Sequence, residues 1–433
     1  MYWEPSLEGM KRADLEALQV QRLRSVVSRC LQSPFYRERL AERGLTADAI
    51  TSIADLQRLP FTTKEDLRTH YPYGLLTVPP RELVRLHCSS GTTGNPTVIF
   101  HNAHDLASWA NLVARSLFAA GVRDTDVFQN ICGYGLFTGG LGFQYGAERL
   151  GALTIPAGAG NTRRQIKLMQ DFGTTAVHAI PSYLGRLREV FTEMGLDPKR
   201  DTCLRILVIG AEPHSEETRR RIEAMFGVKA FNSYGLSEMN GPGVAFECEH
   251  QAGLHLWEDA FIPEIVDPDT LEPVPVGQRG ELVLTTLDRQ AMPILRYRTR
   301  DLTRFLPVDC PCGRTHRLID RITGRSDDMF IIKGCNVFPI QVERVLMRFA
   351  ELGQDYLIVL DSLDGNDEMH LEVELRPEGF NDDFNALEKL RRRIATAVRD
   401  EVLVTPQVKL LEPGKLPKSE GKAVRVRDQR QQH

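Results

Sequence analysis

The sequence predicts an α/β protein built from two domains. The first is a large N-terminal domain of parallel-sheet α/β layers with a β-barrel-like region. The second is a small α+β C-terminal domain. Three observations carry this reading. Short apolar runs alternate with helical segments through the middle of the chain, the signature of parallel strands joined by helices. Between about Leu254 and Leu306 the pattern becomes short alternating segments broken by Gly, Pro and Asp, which reads as antiparallel β structure. After Asp327 it changes again. A chain of 433 residues has room for more than one core.

The elements follow in order. Leu15, Leu18, Leu23, Val26, Val27 and Cys30 recur at helical spacing and predict an amphipathic helix. Pro60 to Asp66 reads as a loop entering a helix, with Thr62 or Thr63 as its cap. Leu153–Pro156, Ala176–Ile180 and Leu204–Ile209 read as strands. Each is followed by a helix: around Arg163 to Asp171, from Pro181, and from near Glu216 to Phe226. Gly280–Thr286 exemplifies the antiparallel region. Beyond it, Asp355–Leu360 and Met369–Leu375 read as strands, Asp383–Val402 as a helix and Val408–Leu411 as a last strand. The domain boundary is placed at Arg325–Asp328, giving domains 1–326 and 327–433.

Composition excludes several classes. Hydrophobic residues make up 42% and charged residues 26%, the balance of a globular chain. A net charge of −4 gives no basic field for nucleic acid or an anionic membrane surface. The residues from Met1 to Pro5 carry no secretory pattern, and no apolar run is long enough to span a bilayer. The eight cysteines are dispersed, so a cytoplasmic location with reduced thiols is expected.

One segment stands out chemically. Ser89-Ser90-Gly91-Thr92-Thr93-Gly94-Asn95-Pro96-Thr97 packs hydroxyls and glycines into nine residues. Such a loop presents backbone N–H groups and hydroxyls to an anion without side-chain obstruction. It is not a Walker A loop, because no Lys-Ser or Lys-Thr follows the glycine. Further segments accompany it in order: Gly210-Ala211-Glu212-Pro213, Ser233-Tyr234-Gly235-Leu236-Ser237-Glu238, Tyr297-Arg298-Thr299-Arg300-Asp301, Gly324-Arg325-Ser326-Asp327-Asp328, and Leu416-Pro417-Lys418-Ser419-Glu420-Gly421-Lys422. Together they resemble the motifs of the acyl-adenylating superfamily, specifically the phenylacetate–coenzyme A ligase family, whose loop reads S-S-G-T-T-G-K-P-T. The resemblance covers nearly the whole chain.

It implies an ATP-dependent enzyme that adenylates an aromatic carboxylic acid and transfers the acyl group to coenzyme A. Ser89 to Gly94 would cradle the ATP phosphates. Glu238 would hold Mg²⁺, which bridges phosphate oxygens. Tyr234, with Ser233 and Gly235, would border the adenine, and Ala211, Glu212 and Pro213 would line the nucleotide pocket. Asp301 resembles the carboxylate that accepts both ribose hydroxyls, and Arg325 an arginine on ribose or phosphate. Lys422 would bridge carboxylate and α-phosphate, where charge accumulates in the transition state. Asp327 matches a hinge about which the C-terminal domain rotates between half-reactions, and Lys333-Gly334 a segment facing the coenzyme A channel. Tyr134, Phe137, Phe143, Ala211 and Met239 are candidates for the acid pocket, with Phe137 and Phe143 equally readable as core. The resemblance also implies a homodimer.

Cys248, His255, Cys310 and Cys312 form C-x6-H and C-x-C-G, donors suited to a structural Zn²⁺. His250 and His316 compete with His255 for the fourth position, and dispersed thiols and loop histidines are the plainer alternative. Two positions depart from the family pattern. Asn95 stands where the loop usually has Lys, and Gln144 where many relatives have His. Three rival readings remain: an enzyme that stops at nucleotidyl transfer, as relatives acting on a deazaflavin cofactor do; an inactive nucleotide-binding protein; and a zinc-organised interaction module.

Overall fold

The computed structural model describes residues 1–89, 95–363, 366–377, 384–416 and 423–430. The chain forms two compact units. One comprises Met1–Ala179, Thr202–Ala211 and Phe231–Arg321; the other comprises Ile180–Asp201, Glu212–Ala230 and Ile322–His433.

After a short helix, Pro5–Glu8, the first unit forms the helix the spacing predicts, Arg12–Cys30, which buries Leu15, Gln19, Leu23, Val26, Val27 and Cys30 along one stripe. A capping box starts helix Lys64–Thr69: Thr63 Oγ1 accepts from Asp66 N at 3.2 Å and Asp66 Oδ2 accepts from Thr63 N at 2.7 Å. Thr63, rather than Thr62, is therefore the cap. Strands β1 (Arg85–Cys88) and β2 (Val98–His101) form an antiparallel hairpin with Cys88 opposite Val98. Helix Ala103–Ala119 follows β2 through a second capping box, Asn102 with Asp105.

The main sheet has eight strands. They are β3 (Val127–Asn130), β4 (Leu153–Ile155), β5 (Ala176–Ala179), β6 (Ile206–Gly210), β7 (Lys229–Leu236), β8 (Gly241–Glu247), β9 (Leu254–Leu256) and β13 (Leu318–Ile319), in the order β13-β9-β8-β7-β6-β5-β3-β4. The pairs β3–β4, β3–β5 and β5–β6 are parallel, whereas β7–β8, β8–β9 and β9–β13 are antiparallel. β5 and β6 are buried along their whole length, as strands covered on both faces must be. Helices Ala103–Ala119 and Thr138–Leu150 pack closely because the second carries Gly142 and Gly146. A Cβ at Gly146 would lie 2.3 Å from Val113 Cγ1, and one at Gly142 would lie 2.6 Å from Trp109. The antiparallel region holds a three-stranded sheet of β10 (Phe261–Val266), β11 (Gly280–Thr286) and β12 (Tyr297–Thr303).

In the second unit, β16 (Leu352–Leu363) and β17 (Asn366–Leu375) pair antiparallel. β18 (Gln407–Leu411) joins β17 in parallel, and helix Phe384–Val402 buries Leu390, Ile394, Val398 and Val402 at every fourth residue. The sequence pattern ends the sheet at Leu411. A further strand, β19 (Val426–Asp428), pairs parallel with β16, Ile358 opposite Val426. Three residues, two of them charged, are too few to show an alternation. Hairpin β14 (Phe330–Ile332) and β15 (Cys335–Val337) and helix Pro339–Leu346 likewise go beyond what the sequence pattern predicts. Among the described residues no helix is long and apolar enough to cross a membrane.

Candidate active site and metal centre

Parallel strands deliver polar groups at their carboxyl ends, where open α/β sheets bind ligands. β3 ends at Asn130, β5 at Ala179 and β6 at Gly210. Gly210 is required there, because a Cβ would lie 2.4 Å from Ser233 O on β7. Ala211 follows with φ 66°, a left-handed residue at the strand end.

The Ser/Gly/Thr segment lies between β1 and β2 in the sequence. Ser89 N donates to Thr97 O at 3.0 Å and closes the base of the loop. Ser90, Gly91, Thr92, Thr93 and Gly94 lie outside the described residues. Among the described residues the buried hydroxyl oxygens of Ser89 and Thr97 find no hydrogen-bond partner, which fits a loop that serves an anion. Asn95 is exposed and reaches Arg68 O at 3.5 Å. The hairpin is tied to the next loop, since Cys88 N donates to Leu136 O at 3.0 Å.

β7 places Ser233, Tyr234 and Gly235, and the turn Ser237–Met239 presents Glu238, buried at 7% exposure. Tyr234 OH donates to Asp301 Oδ2 at 2.6 Å, and Asp301 N donates to Thr299 Oγ1 at 3.0 Å. The predicted adenine neighbour and ribose carboxylate are thus brought together. Thr138 Oγ1 and Ser237 Oγ lie 3.3 Å apart and join the Glu238 turn to helix Thr138–Leu150.

The acid-pocket candidates separate. Tyr134 OH accepts from Asn130 Nδ2 at 3.1 Å. Phe143 is buried, with its ring 3.7 Å from that of His178 and farther contacts to Phe128 and Phe246. Phe137 caps the helix and is 54% exposed, and Met239 is fully buried. Asn130 and His178 are register partners on β3 and β5, with Asn130 Oδ1 3.0 Å from His178 Nδ1. Burial pushes His178 down to about 3, so its ring is neutral. Its Nε2 lies 3.7 Å from Cys132 Sγ.

In the second unit, Glu212 accepts from Ser182 Oγ at 2.9 Å and from Ala423 N at 2.8 Å. Arg325 forms a bidentate pair with Asp327, both bonds 2.8 Å, so the ribose arginine and hinge aspartate of the sequence reading hold each other. Lys333 (φ 49°) and Gly334 (φ 76°) form the two-residue turn between β14 and β15, a turn that needs left-handed residues at both positions. Lys422 lies outside the described residues.

Cys248, His255, Cys310 and Cys312 converge, with their donor atoms within 4.8 Å of one another. Cys248 Sγ and Cys310 Sγ are 3.5 Å apart, and Cys312 Sγ and His255 Nε2 are 3.3 Å apart. A tetrahedral Zn²⁺ at its usual bond lengths would set these separations at about 3.8 and about 3.6 Å. The residues fit the metal. His316 is spoken for by backbone, Glu258 N at 2.9 Å and Leu7 O at 3.0 Å, and His250 is exposed, so His255 fills the fourth position. Hydrogen bonds from Cys248 and His255 hold the Cys312 thiol well below its usual range. The N-terminal segment clasps this loop: Tyr2 OH donates to Cys312 O at 3.2 Å, Glu8 pairs with Arg314, and Glu4 pairs with Arg115, itself 2.6 Å from Asp259.

Comparison with known proteins matches this geometry to a family. The AMP-binding enzyme family model covers residues 22–287, and the AMP-binding enzyme C-terminal domain covers residues 334–430. Phenylacetate-coenzyme A ligase of Thermus thermophilus is 47% identical across 98% of both chains. That of Pseudomonas putida is 46% identical across 98% of this chain and 97% of its own. The chain belongs to the phenylacetate–coenzyme A ligase family. Among solved structures, a 2-hydroxyisobutyryl-CoA ligase in the postadenylation state in complex with 2-HIB-AMP superposes with a TM-score of 0.93 at 31% identity, covering 99% of this chain and 93% of that one.

Two features of this family member carry no local sequence signal. The Asn130–His178–Cys132 array comes from two strands and a loop, so no local motif announces it. Arg289 sits in the polar run Asp288-Arg289-Gln290, which reads as solvent-facing, yet it is 3% exposed.

Proposed function

We propose that this ligase activates phenylacetate or a related aryl acid in aromatic acid catabolism, in two half-reactions. In the first, a carboxylate oxygen attacks the α-phosphorus of ATP and the bond to pyrophosphate breaks. In the second, the coenzyme A thiolate attacks the acyl carbonyl and the bond to AMP breaks. Tyr234 and Asp301 would hold the adenosine, the β1–β2 loop the phosphates, and Glu238 the Mg²⁺ that neutralises them. Lys422 would stabilise the first transition state. Residues 327–433 would then rotate about Asp327, bringing Lys333-Gly334 to the coenzyme A channel. Zn²⁺ on Cys248, His255, Cys310 and Cys312 would be structural, since all four positions are filled by protein. Eight free thiols suit a reducing cytoplasm.

The observation that carries the nucleotide assignment is the Tyr234–Asp301 hydrogen bond. It fixes an acceptor-only group beside an aromatic ring, across 67 residues of sequence. The test is a panel of aryl acids with ATP, Mg²⁺ and coenzyme A, scoring AMP and thioester. Turnover of an aromatic acid to its thioester supports the reading. Pyrophosphate release independent of coenzyme A would point to an enzyme that stops at adenylation. No turnover of any aromatic acid would count against the ligase reading. Lys422→Ala should abolish adenylation yet spare thioester formation from a supplied acyl-adenylate; equal loss of both sinks its assigned role.

A further inference from the structure

Arg289 is the most unusual charge in the first unit. It is 3% exposed, and no carboxylate oxygen lies within ion-pair distance among the described residues. Its Nη1 donates to Glu238 O at 2.6 Å, and its Nη2 donates to Phe100 O at 3.3 Å. Its Nε is buried without a partner among the described residues. The neighbouring acid, Asp105, is committed to backbone, accepting from Gln290 N at 2.7 Å and Ala291 N at 3.0 Å. Burial lowers Arg289 to about 10, so it remains charged at neutral pH. A buried cation without a contact counter-ion weakens a fold unless its hydrogen bonds serve something.

What those two bonds join is specific. Phe100 lies on β2, three residues beyond Thr97 at the end of the phosphate loop. Glu238 lies in a turn followed by two left-handed residues, Asn240 (φ 77°) and Gly241 (φ 107°). Such a turn depends on side-chain support for its position. We propose that Arg289 is a positioning residue for adenylation, which locks the Glu238 turn to the phosphate-loop hairpin so that metal and phosphates meet in register. A planar guanidinium can hold two divergent carbonyls at once, whereas an ammonium holds its acceptors from a single point. The proposal rests on the reading of Glu238 as the Mg²⁺ carboxylate.

The experiment compares Arg289→Met, Arg289→Lys and Glu238→Gln with the unaltered enzyme. Pyrophosphate release is followed against Mg²⁺ and ATP, Mg²⁺-dependent binding of ATP is measured by calorimetry without the acid, and thioester formation is followed from a supplied acyl-adenylate. Arg289→Met should lower kcat for adenylation about 30-fold or more and raise the Mg²⁺ needed for half-maximal rate, for loss of two charge-assisted bonds. Thioester formation should change by less than about threefold, and Arg289→Lys should recover only part of the adenylation rate and keep a raised Mg²⁺ requirement, because an ammonium reaches the two carbonyls from a single point. An Arg289→Met enzyme with unaltered Mg²⁺ dependence overturns the proposal. So do equal losses in both half-reactions that Arg289→Lys does not repair. If Arg289→Met does not fold, the Lys variant decides: a raised Mg²⁺ requirement supports the role and an unaltered one refutes it. Glu238→Gln separates the two readings. If it leaves Mg²⁺ dependence unmoved, the metal assignment has failed; if it shifts that dependence while Arg289→Met does not, only the Arg289 proposal has failed.

Discussion

Asp301→Asn tests the ribose assignment by exchanging one oxygen for an amide nitrogen. In the folded chain Asp301 Oδ2 accepts Tyr234 OH at 2.6 Å, and the side chain is 8% exposed. A carboxylate has acceptor capacity for the tyrosine and for both hydroxyls of a ribose diol. Asparagine has one acceptor oxygen. If that oxygen stays on Tyr234, an N–H faces the ribose; if it turns to the ribose, the tyrosine hydroxyl faces an N–H. Either way one hydrogen bond to a charged group is lost, which costs about 1.5–3 kcal/mol. That corresponds to a fall of roughly 10- to 150-fold in kcat/KM for ATP. Initial rates of pyrophosphate release, with ATP varied at saturating acid, measure it, and KM for the acid should stay put. Tyr234→Phe leaves the carboxylate in place but unaligned, a loss of about 1 kcal/mol or roughly fivefold. A folded Asp301→Asn enzyme with unaltered kinetics toward ATP would refute the assignment.

Two further expectations concern the first unit. Cys310→Ser should remove one of four donors, so bound zinc and melting temperature should fall together; purified protein free of zinc by metal analysis would dismiss the site. Arg115→Met should destabilise by about 3–5 kcal/mol in denaturant unfolding, because it removes the cation hydrogen-bonded to buried Asp259 and leaves Arg22 3.9 Å away. Against the cost of its burial, Arg115 keeps the Asp259 carboxyl below its ordinary value. The pair's stabilisation is therefore full above about pH 4 and is lost as pH falls through the depressed value. The gap between Arg115→Met and the unaltered protein should narrow on acidification; a pH-independent gap would contradict this.

The parts of the fold legible in sequence are those whose burial is continuous or periodic. β6 announces itself as an unbroken apolar run, β5 as one interrupted only by His178, and helices Arg12–Cys30 and Phe384–Val402 as stripes. β14, β15 and β19 have three residues each, below the length at which alternation can be distinguished from chance. At the site, donor types were legible and contacts were not. The four metal donors could be named, but the choice among His255, His250 and His316 depended on which ring nitrogens the backbone already occupies. Phe143 could be read as pocket or core with equal justice, and only its packing on His178, Phe128 and Phe246 places it in the core. Arg289 was invisible because nothing in a lone arginine tells which two carbonyls it will bridge.

The clasp of the N-terminal segment on the metal loop has a consequence for synthesis. Glu8 is 306 residues ahead of its partner Arg314, and Tyr2 is 310 residues ahead of Cys312. At roughly 5–20 residues per second, Glu8 waits on the order of 15–60 s after leaving the ribosome before its partner exists. The helix Arg12–Cys30 can form at once, but Glu8 has no buried partner until the metal loop emerges. Closure of the first unit is therefore a late, long-range event in the life of the nascent chain, and the cysteines that complete the cluster are synthesised only residues before it.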